Sequence, residues 1–561
     1  MKIRRLAAWM LALALLTAAA GYAETQENAA HNRSRINELL KNSTFYFLDE
    51  SEALAPYYQL ADARRQAILH SPTAIVKADT FIPGETYTGV AYYVSHNGDD
   101  KNDGLSPETP LRTLRQLRLK CCLAPGDAVF FERGGIYPVV NRPLMLWDQV
   151  TYSAYGEGPK PVLTMAQENS AREECWELWY EGENGEKIWR YYLQVGDVAA
   201  VIFDDESCAR RILEWPTPKG WLALDIQEKD PAHGDPAVGD ICGRWQMQSA
   251  QEFRTVEAQL TENLTYVSRS PLDEFKKYPF DYDQGLRVGD LFLRCDAGNP
   301  GTCYDDIMVI AVQRADTPGD THFAQVLDGG HAAGWVLDNL SIKGFTGNAI
   351  GGDRVITDRA LIQNCSVEWG GQTLCAGWIK HSWPQYDGSV AVDNIFCVAK
   401  NATIRNNYFR QCSHAFMFES GQNPVSGMGA YIAEGNLIED CAQGTRTYMG
   451  SDGDALSFDH VLIRDNIILN TGSGMTSYLC FEEQVAVDLG TNPVQYARHI
   501  EVCDNILLGS SQAIFRIPDS TQVEIDIHDN VIAQDRDKAL ITEFQWFRSN
   551  ELIWYMMKDA K

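Results

Sequence analysis

Seven short segments in the second half of the chain resemble one another, and this internal repeat is the strongest constraint on the fold. Each segment places an asparagine after a polar or small residue, then apolar residues, then a polar turn. Successive asparagines are 25 to 43 residues apart, and their register slips by about one residue after the second repeat. The recurring residues are Asn339, Asn364, Asn407, Asn436, Asn466, Asn505 and Asn530.

A solenoid of parallel strands explains this recurrence. If each repeat forms one coil, equivalent residues stack about 4.8 Å apart. Asparagine can stack its amide in a ladder, and it tolerates the left-handed backbone of a tight turn. A second set of strand-like segments predicts a neighbouring sheet, and seven coils suffice for a long rod. That second set reads HAFMFES, GTRTYMG, SGMTSYL, SQAIFRI and KALITEF.

Three segments nearer the start of the chain point to a known architecture. They are YYVSHNGDDKNDGLSPETPLRTL from residue 92, GDAVFFERGG from residue 126 and VTYSAYGEGPKPVL from residue 150. Together with the asparagine repeats, they resemble the right-handed parallel β-helix proteins of the pectate-lyase-like superfamily. The resemblance implies an all-β fold and an exported, carbohydrate-related role, but no particular reaction.

The first of these segments holds acidic and amide residues in a pattern that invites comparison with a calcium loop. An EF-hand loop needs an acidic or amide residue at its third position and a bidentate Glu at its twelfth. Counting from Asp99, those positions are Lys101 and Pro110. Asn97-Gly98 and Asp103-Gly104 are turn dipeptides. We therefore interpret the cluster as turn structure.

The chain divides into six predicted regions. Residues 161–330 are rich in Trp and acidic residues and are predicted to form a β-rich insertion or flanking module. The segment from Ser51 to about His70 has a Ser start signal and helix-spaced apolar residues, so we predict a helix that caps the fold. The regions are a signal peptide (1–23), an N-terminal helical segment (24–85), the start of the β-helix (86–160), the insertion (161–330), the β-helix repeats (331–545) and a tail (546–561).

The first residues predict export. Lys2, Arg4 and Arg5 precede an apolar run that ends at small residues, a pattern typical of a signal peptide cleaved after Ala23. Removing its three positive charges takes the formal net charge from −28 to −31. Such a surface repels nucleic acid and anionic membranes. We expect a secreted or periplasmic monomer whose partner is a polysaccharide or oligosaccharide.

All 14 cysteines follow the predicted signal peptide. Export permits disulfides, and Cys295 and Cys303 flank a short loop that a disulfide would close. Cys412 and Cys441 occupy repeat positions and are predicted to be buried thiols. The absence of a CxxC pair argues against a structural zinc site, and we predict no metal ligands.

The longest irregular break inside the repeats, residues 368–390, is the first candidate site. Flat aromatic rings suit sugar stacking, and paired carboxylates suit general acid/base hydrolysis. We predict Glu368 and Asp387 as catalytic carboxylates. The predicted substrate-binding residues of this segment are Trp369, Trp378, His381, Trp383 and Tyr386.

The strand-like segment at residues 414–420 is the second candidate. Alternation along a strand would place His414, Phe416 and Phe418 on an exposed face, with the residues between them in the core. We predict catalytic roles for His414 and for Glu419 at the strand end. Phe416, Phe418 and Arg446 are predicted to bind substrate.

These features favour a glycoside hydrolase that cleaves a polysaccharide through paired carboxylates and requires no cofactor. A polysaccharide lyase is the alternative, with Arg446 or His414 serving its chemistry and Ca²⁺ as its cofactor. A non-catalytic glycan-binding or adhesin β-helix is the third reading. Motifs similar to those of polygalacturonases, pectate lyases and pectin methylesterases are missing, so the resemblance transfers no catalytic residue.

Overall fold

The structure is a computed structural model, and it describes most of the chain from residue 30 onward. The predicted signal peptide lies outside the described residues. Among the described helices, none is long and apolar enough to cross a membrane. The described residues are 30–139, 143–193, 197–215, 245–249, 256–268, 290–312, 326–329, 332–345, 349–351, 356–370, 379–384, 390–395, 398–412, 414–420, 430–449, 457–458, 460–472, 484–489, 496–497, 499–518, 524–545 and 551–560.

Three long stacks of strands, here called sheets 1, 2 and 3, form the walls of a parallel β-helix. This confirms the predicted all-β fold class. Sheet 1 contains, in spatial order, Leu40–Lys41, Ile525–His528, Ile500–Cys503, His460–Arg464, Ala430–Glu434, Thr403–Arg405, Leu361–Gln363, Val336–Asp338, Thr151–Tyr155, Ala128–Glu132 and Ala91–Val94. Sheet 2 contains Thr44–Phe47, Val531–Gln534, Ile506–Ser510, Ile467–Thr471, Leu437–Glu439, Tyr408–Arg410, Ser366–Gly370, Ser341–Phe345, Val162–Thr164 and Ile136–Pro138.

Sheet 3 covers the later coils, and its last strand runs antiparallel to the others. Four of the five segments predicted as neighbouring strands contribute to it, whereas SGMTSYL lies outside the described residues. Its strands are His414–Ser420, Gln443–Met449, Val485–Asp488, Ala513–Pro518, Ala539–Gln545 and Glu551–Met556. In the earlier coils a shorter parallel sheet of Leu144–Met145, Leu327–Asp328 and Ile350–Gly351 precedes the corresponding sheet 1 strands.

The remaining elements are short or belong to the insertion. Two-stranded pairs join Val76–Lys77 with Thr86–Tyr87, Ile356–Asp358 with Val398–Lys400, Ile379–Pro384 with Val390–Ile395, and Ser457–Phe458 with Tyr496–Ala497. The helices span residues 30–39, Ser51–Leu69, Leu114–Lys120, Val256–Gln259, Pro300–Cys303 and Met557–Ala560, with a 3₁₀ turn at Glu173–Cys175.

A ladder of buried asparagines joins the coils at the turn between sheets 1 and 2. At one rung, Oδ1 of Asn466 accepts hydrogen bonds from the backbone N–H and from Nδ2 of Asn436, at 3.1 and 2.9 Å. Nδ2 of Asn466 donates to the carbonyl of Ala433 and to Oδ1 of Asn505, both at 3.0 Å. Each rung thus satisfies polar groups that the core would otherwise leave unpaired. The ladder residues are Asn407, Asn436, Asn466, Asn505 and Asn530.

The first two repeat asparagines do a different job, which explains the slip in register. Asn339 and Asn364 adopt left-handed φ values of 56° and 51° at the turn itself. The ladder position then falls on the next residue, and the backbone N–H of Cys365 donates to Oδ1 of Asn407 at 2.9 Å. In the last five repeats the residue before the asparagine is left-handed. Asparagine therefore supplies the left-handed turn in the first two repeats and the amide ladder in the last five.

Residues from the start of the described chain complete the far end of the β-helix. Leu40–Lys41 pairs in parallel with sheet 1 at Ile527 and His528, and Thr44–Phe47 pairs with sheet 2 at Val531–Gln534. The backbone N–H of Asn530, the last rung, donates to Oγ of Ser43 at 3.2 Å. Residues 40–47 thus form the final coil.

The predicted helix is present as Ser51–Leu69, but it does not cap an end of the fold. Its buried residues Leu54, Ala61 and Ile68 recur every seven residues and pack against outward side chains of sheet 2, such as Leu437 and Ile467. This long helix covers sheet 2 because a row of apolar residues there needs a partner, and burying them stabilises both elements.

Two further sheets lie between the coils at Val162–Thr164 and Leu327–Asp328, and together they are called the insertion. They enclose a separate apolar core that includes Phe203, Tyr266 and Leu291. One sheet contains Ala166–Asn169, Ile307–Val312, Asp197–Phe203 and Ser207–Cys208; the other contains Glu177–Glu181, Lys187–Tyr192, Asp290–Arg294, Thr265–Ser268, Arg210–Trp215 and Trp245–Ser249.

Turn hydrogen bonds account for the acidic cluster of the start segment. Oδ1 of Asp100 accepts from the backbone N–H groups of Arg112 and Thr113, and Oδ1 of Asp103 accepts from Leu105. These contacts agree with the interpretation of the cluster as turn structure.

The cysteines are free thiols where the structure describes them. Cys295 and Cys303 form no disulfide, so the proposed loop closure is absent. Cys412 and Cys441 are fully buried in the core of the β-helix, as predicted.

A buried lysine lies where the chain passes from the long helix to the first coils. Nζ of Lys160 donates to Oδ1 of Asn339 at 2.7 Å and to Oγ of Ser71 at 2.8 Å. Burial lowers the pKa of Lys160 to about 8, and the charge of Arg133 adds to the decrease. The ordinary lysine pKa of 10.5 applies to the unfolded chain.

Stability is expected to depend on pH through Lys160. Between about pH 8 and pH 10.5 the unfolded chain binds a proton that the folded chain lacks, so this group makes stability rise with pH across that window. Urea unfolding of the wild type and of Lys160→Met should therefore show a steeper rise for the wild type. Lys41→Met, at an exposed lysine, is the matched control. Equal slopes for the wild type and Lys160→Met would contradict the expectation.

Candidate functional site

Sheet 3 carries a line of charged side chains across neighbouring strands. Arg446 is in register with Asp488, and Asp488 is in register with Arg516. Nε of Arg446 lies 3.5 Å from Oδ2 of Asp488, and Nη1 of Arg516 lies 3.7 Å from the same oxygen. We call these three residues the Arg-Asp-Arg row.

The row lies on the outer face of sheet 3. Thr445 and Thr447, on either side of Arg446, are fully buried, and so are Phe515 and Ile517 on either side of Arg516. Side chains alternate between the two faces of a strand, so the charged residues point away from the core. The arginine side chains of the row keep 14% and 17% of their surface exposed, whereas that of Asp488 keeps 1%.

The row combines two positive charges with one negative charge, in a chain whose formal net charge is −28. Gln443 adds a hydrogen bond from Nε2 to Oδ2 of Asp488 at 3.0 Å. The buried carboxylate thus holds two guanidinium groups at a fixed spacing. Because guanidinium forks match carboxylate oxygens in charge and shape, the arrangement suits an anionic ligand.

An exposed aromatic ring stands at the end of the same line. Arg516 is in register with Thr542, and Thr542 is in register with Trp554 on the last strand. Residues paired across strands share a face, and 46% of the surface of Trp554 is exposed. At about 4.8 Å per strand, Trp554 lies roughly 14 Å along the sheet from Asp488.

The predicted alternation of residues 414–420 has the wrong phase at Phe416. This residue is fully buried in the core and packs against Phe409 with ring centroids 5.6 Å apart. Phe416 is in register with Thr445, a buried row, whereas Met417 is in register with Arg446. The register row of Arg446, and not that of Phe416, therefore belongs to the outer face. His414 is buried at the start of the strand, opposite Gln443.

Glu368 lies in a second charged line, on sheet 2, and is buried, with 5% of its surface exposed. Lys343, Glu368, Arg410 and Glu439 occupy one register row across four strands, so that their charges alternate. We call this row the buried charge ladder. Nζ of Lys343 lies 3.8 Å from the Glu368 carboxylate. Burial raises the pKa of the Glu368 carboxyl, and the charge of Lys343 opposes that rise.

The insertion and the long helix both attach to the buried charge ladder. Asp205 of the insertion accepts hydrogen bonds from Nζ of Lys343 at 2.7 Å and from Nε1 of Trp369 at 2.6 Å. Nε of Arg65, from the long helix, donates to Glu439 at 2.8 Å. Trp369 is buried in the core, so its ring is not an exposed sugar platform. Glu368 and Trp369 thus lie where the insertion attaches to sheet 2.

Several predicted site residues are placed in part or not at all. His381 and Trp383 belong to Ile379–Pro384, which pairs antiparallel with Val390–Ile395. Phe418 and Glu419 occupy sheet 3 opposite Thr447 and Tyr448. Trp378, Tyr386 and Asp387 lie outside the described residues.

Sequence reasoning identified Arg446 but missed Asp488, Arg516 and Gln443. The sequence contained a signal for Asp488 and Arg516. The segments TRT, VDL and FRI lie on successive strands of sheet 3, and each places one charged residue between two uncharged neighbours in sequence. Aligning the second set of segments by this pattern would have brought the row together. The segment VDL was missed because the strand Val485–Asp488 was not among the segments predicted for that sheet.

Fold and site together define a parallel β-helix protein with a cationic row on its third sheet. No protein-family model matches the sequence, and a search of curated proteins found no match.

Solved structures of low sequence identity align with most of the chain. The GH136 lacto-N-biosidase from Eubacterium ramulus is 12% identical, with 86% of this chain and 70% of that chain covered and a TM-score of 0.33. A structure described as a glycoside hydrolase is 9% identical, covering 80% and 96%, with a TM-score of 0.38. The polygalacturonase from Erwinia carotovora ssp. carotovora is 9% identical, covering 82% and 96%, with a TM-score of 0.32. Similarity at this level assigns no reaction, so function rests on the chain's own residues.

Proposed function

We propose that the protein is a carbohydrate-active enzyme that binds an acidic polysaccharide along the outer face of sheet 3. The observation that carries this proposal is the Arg-Asp-Arg row. Arg446 and Arg516 would bind the carboxylate of a sugar acid, and Asp488, between them, would fix their spacing. Trp554 would stack against a sugar ring further along the sheet, as aromatic side chains do on flat apolar faces.

We propose hydrolysis as the reaction. Most glycoside hydrolases use two carboxyl groups beside the glycosidic bond. Glu419 occupies the strand next to that of Arg446, two residues beyond the register partner of Arg446, and we keep it as one catalytic carboxylate, with Asp387 as its partner. Glu368 is reassigned to structure because it is buried in the ladder beneath the insertion.

A lyase is the second candidate, and the same arginines favour it. Removing the proton beside a uronate carboxylate becomes easier when positive charge neutralises that carboxylate. The sequence argued against this reaction because the acidic surface repels polyuronates, whereas the row places two positive charges together on sheet 3. His414 would then be the base that removes the proton, while Arg446 would help to neutralise the carboxylate.

A polysaccharide screen tests the proposal. Purified protein is incubated with neutral and acidic polysaccharides, with Ca²⁺ and with chelator, while reducing ends and the absorbance of unsaturated uronates are followed in parallel. New reducing ends without unsaturated products, on acidic chains only, support hydrolysis, whereas unsaturated products support the lyase. Cleavage of neutral chains only would contradict the acidic substrate class. Binding without cleavage would leave a glycan-binding protein and remove the catalytic assignments.

A further inference from the structure

A cluster of different metal-binding side chains lies on sheet 1, on a different wall from the Arg-Asp-Arg row. Cys503 and His528 are register partners on adjacent parallel strands, and Glu501 precedes Cys503 by two residues. Ile500, Val502 and Ile527 point into the core. Alternation therefore directs Glu501, Cys503 and His528 to the same outer face.

Their donor atoms are close enough to share one ion. Nε2 of His528 lies 3.3 Å from Oε1 of Glu501, and Sγ of Cys503 lies 3.6 Å from the same oxygen. All three donor atoms lie within 4.8 Å of one another. Tetrahedral zinc with bonds of about 2.0 to 2.3 Å requires ligand atoms roughly 3.3 to 3.8 Å apart. Small side-chain rotations would bring the three atoms to that spacing.

A fourth residue orients the histidine. Nδ1 of His528 lies 2.6 Å from Oδ2 of Asp529, which leaves Nε2 facing Glu501 and Cys503. Asp529 is held in place because it adopts the left-handed turn, with φ of 55°, that precedes the last rung of the asparagine ladder. A carboxylate on the second ring nitrogen is the usual outer partner of a metal-bound histidine.

The donor set also selects the kind of ion. Thiolate and imidazole favour zinc and its neighbours, whereas calcium and magnesium prefer oxygen alone. A metal-bound cysteine is a thiolate, so the Cys503 thiol must lose its proton when a metal binds. Metal binding would release that proton and weaken as the pH falls.

We propose that Glu501, Cys503 and His528 form a zinc site with a water as fourth ligand, oriented by Asp529. The bound ion would tie together two adjacent coils near the far end of the β-helix. This proposal departs from the prediction from sequence of no metal ligands, because the three ligands come from two repeats and share no local motif. The site is independent of the proposed function on sheet 3.

The test is zinc titration of the full protein after removal of metals with a chelator. Calorimetry should find one zinc per chain with proton release, a raised unfolding temperature, and no such effect of Ca²⁺ or Mg²⁺. Cobalt in place of zinc should give a thiolate charge-transfer band. Cys503→Ser should abolish the band, and Cys503→Ser and His528→Gln should each weaken binding at least as much as loss of an outer partner does, on the order of 100-fold. Asp529→Asn should weaken it about 10- to 100-fold.

Cys303→Ser, at an exposed free thiol, is the matched control and should leave both the band and the affinity unchanged. The unfolding temperature of each variant without metal shows whether it still folds. Zinc bound equally well by Cys503→Ser or by His528→Gln would overturn the proposal. So would the absence of a stoichiometric heat with the folded wild-type protein.

Discussion

Replacing Asn466 with alanine is expected to lower the free energy of unfolding by about 3 to 6 kcal/mol. Its amide makes four hydrogen bonds in the ladder, two accepted from Asn436 and two donated to Ala433 and Asn505. All of these groups are buried, and each polar group left unpaired costs about 1 to 3 kcal/mol. Alanine removes the amide and leaves the facing groups of Asn436, Ala433 and Asn505 without this side-chain partner.

Denaturant unfolding of the wild type and of Asn466→Ala provides the measurement. Asn184→Ala is the control, since Asn184 is exposed in a turn and bonds only to Glu186 among the contacts the structure gives it. That variant should change stability by less than about 1 kcal/mol. If the two variants were equally stable, the ladder would not contribute to stability as its geometry indicates.

Removing the charge of either arginine in the Arg-Asp-Arg row is expected to reduce kcat/KM on an acidic polysaccharide about 10- to 100-fold. A hydrogen bond between charged partners contributes about 1.5 to 3 kcal/mol, and each 1.4 kcal/mol is a factor of ten. Arg446→Gln and Arg516→Gln keep most of the side-chain volume while losing the charge. The prediction rests on the proposed function, so it is measured on whichever acidic substrate the screen identifies.

Arg464→Gln is the matched control for both variants. Arg464 forms an exposed pair with Glu434 on sheet 1, at 2.7 Å, and its loss should leave activity unchanged. Arg446→Lys separates charge from fork geometry and should recover part of the activity. In each Gln variant Asp488 loses one counter-charge. Thermal unfolding checks that this loss does not unfold the protein. Full activity in both Gln variants would restrict the row to a structural role.

The asparagine repeat was sufficient to predict the fold because stacking repeats the same physical demand at every coil. Each turn between sheets 1 and 2 needs a residue with a left-handed backbone and a position in the ladder. Asparagine or the residue beside it meets each requirement, so the repeat is visible in the sequence. The final coil left no such trace. Residues 40–47 pair with strands almost 490 residues away, and a short apolar segment does not reveal so distant a partner.

The site was harder to predict because burial depends on elements that are remote in sequence. Glu368 reads as an accessible carboxylate beside a Trp-rich loop, yet Asp205 of the insertion and Lys343 enclose it. Phe416 was placed on the wrong face because the local pattern of small and large residues does not reveal which row faces the core. Arg446 was found, but its partner Asp488 is on another coil and becomes visible only through the strand register.

The final coil has a consequence for the order in which the protein can fold. Residues 40–47 are synthesised long before their strand partners at residues 525–534, which follow almost 490 residues later. Contacts between segments so far apart in sequence are slow to form, because a long loop must close first. We therefore expect the coil edge at residues 525–534 to stay open until residues 40–47 pair with it. We expect folding to begin with neighbouring coils and to finish by joining these two distant segments. A truncated chain lacking residues 40–47 would then expose an unpaired strand edge that favours aggregation.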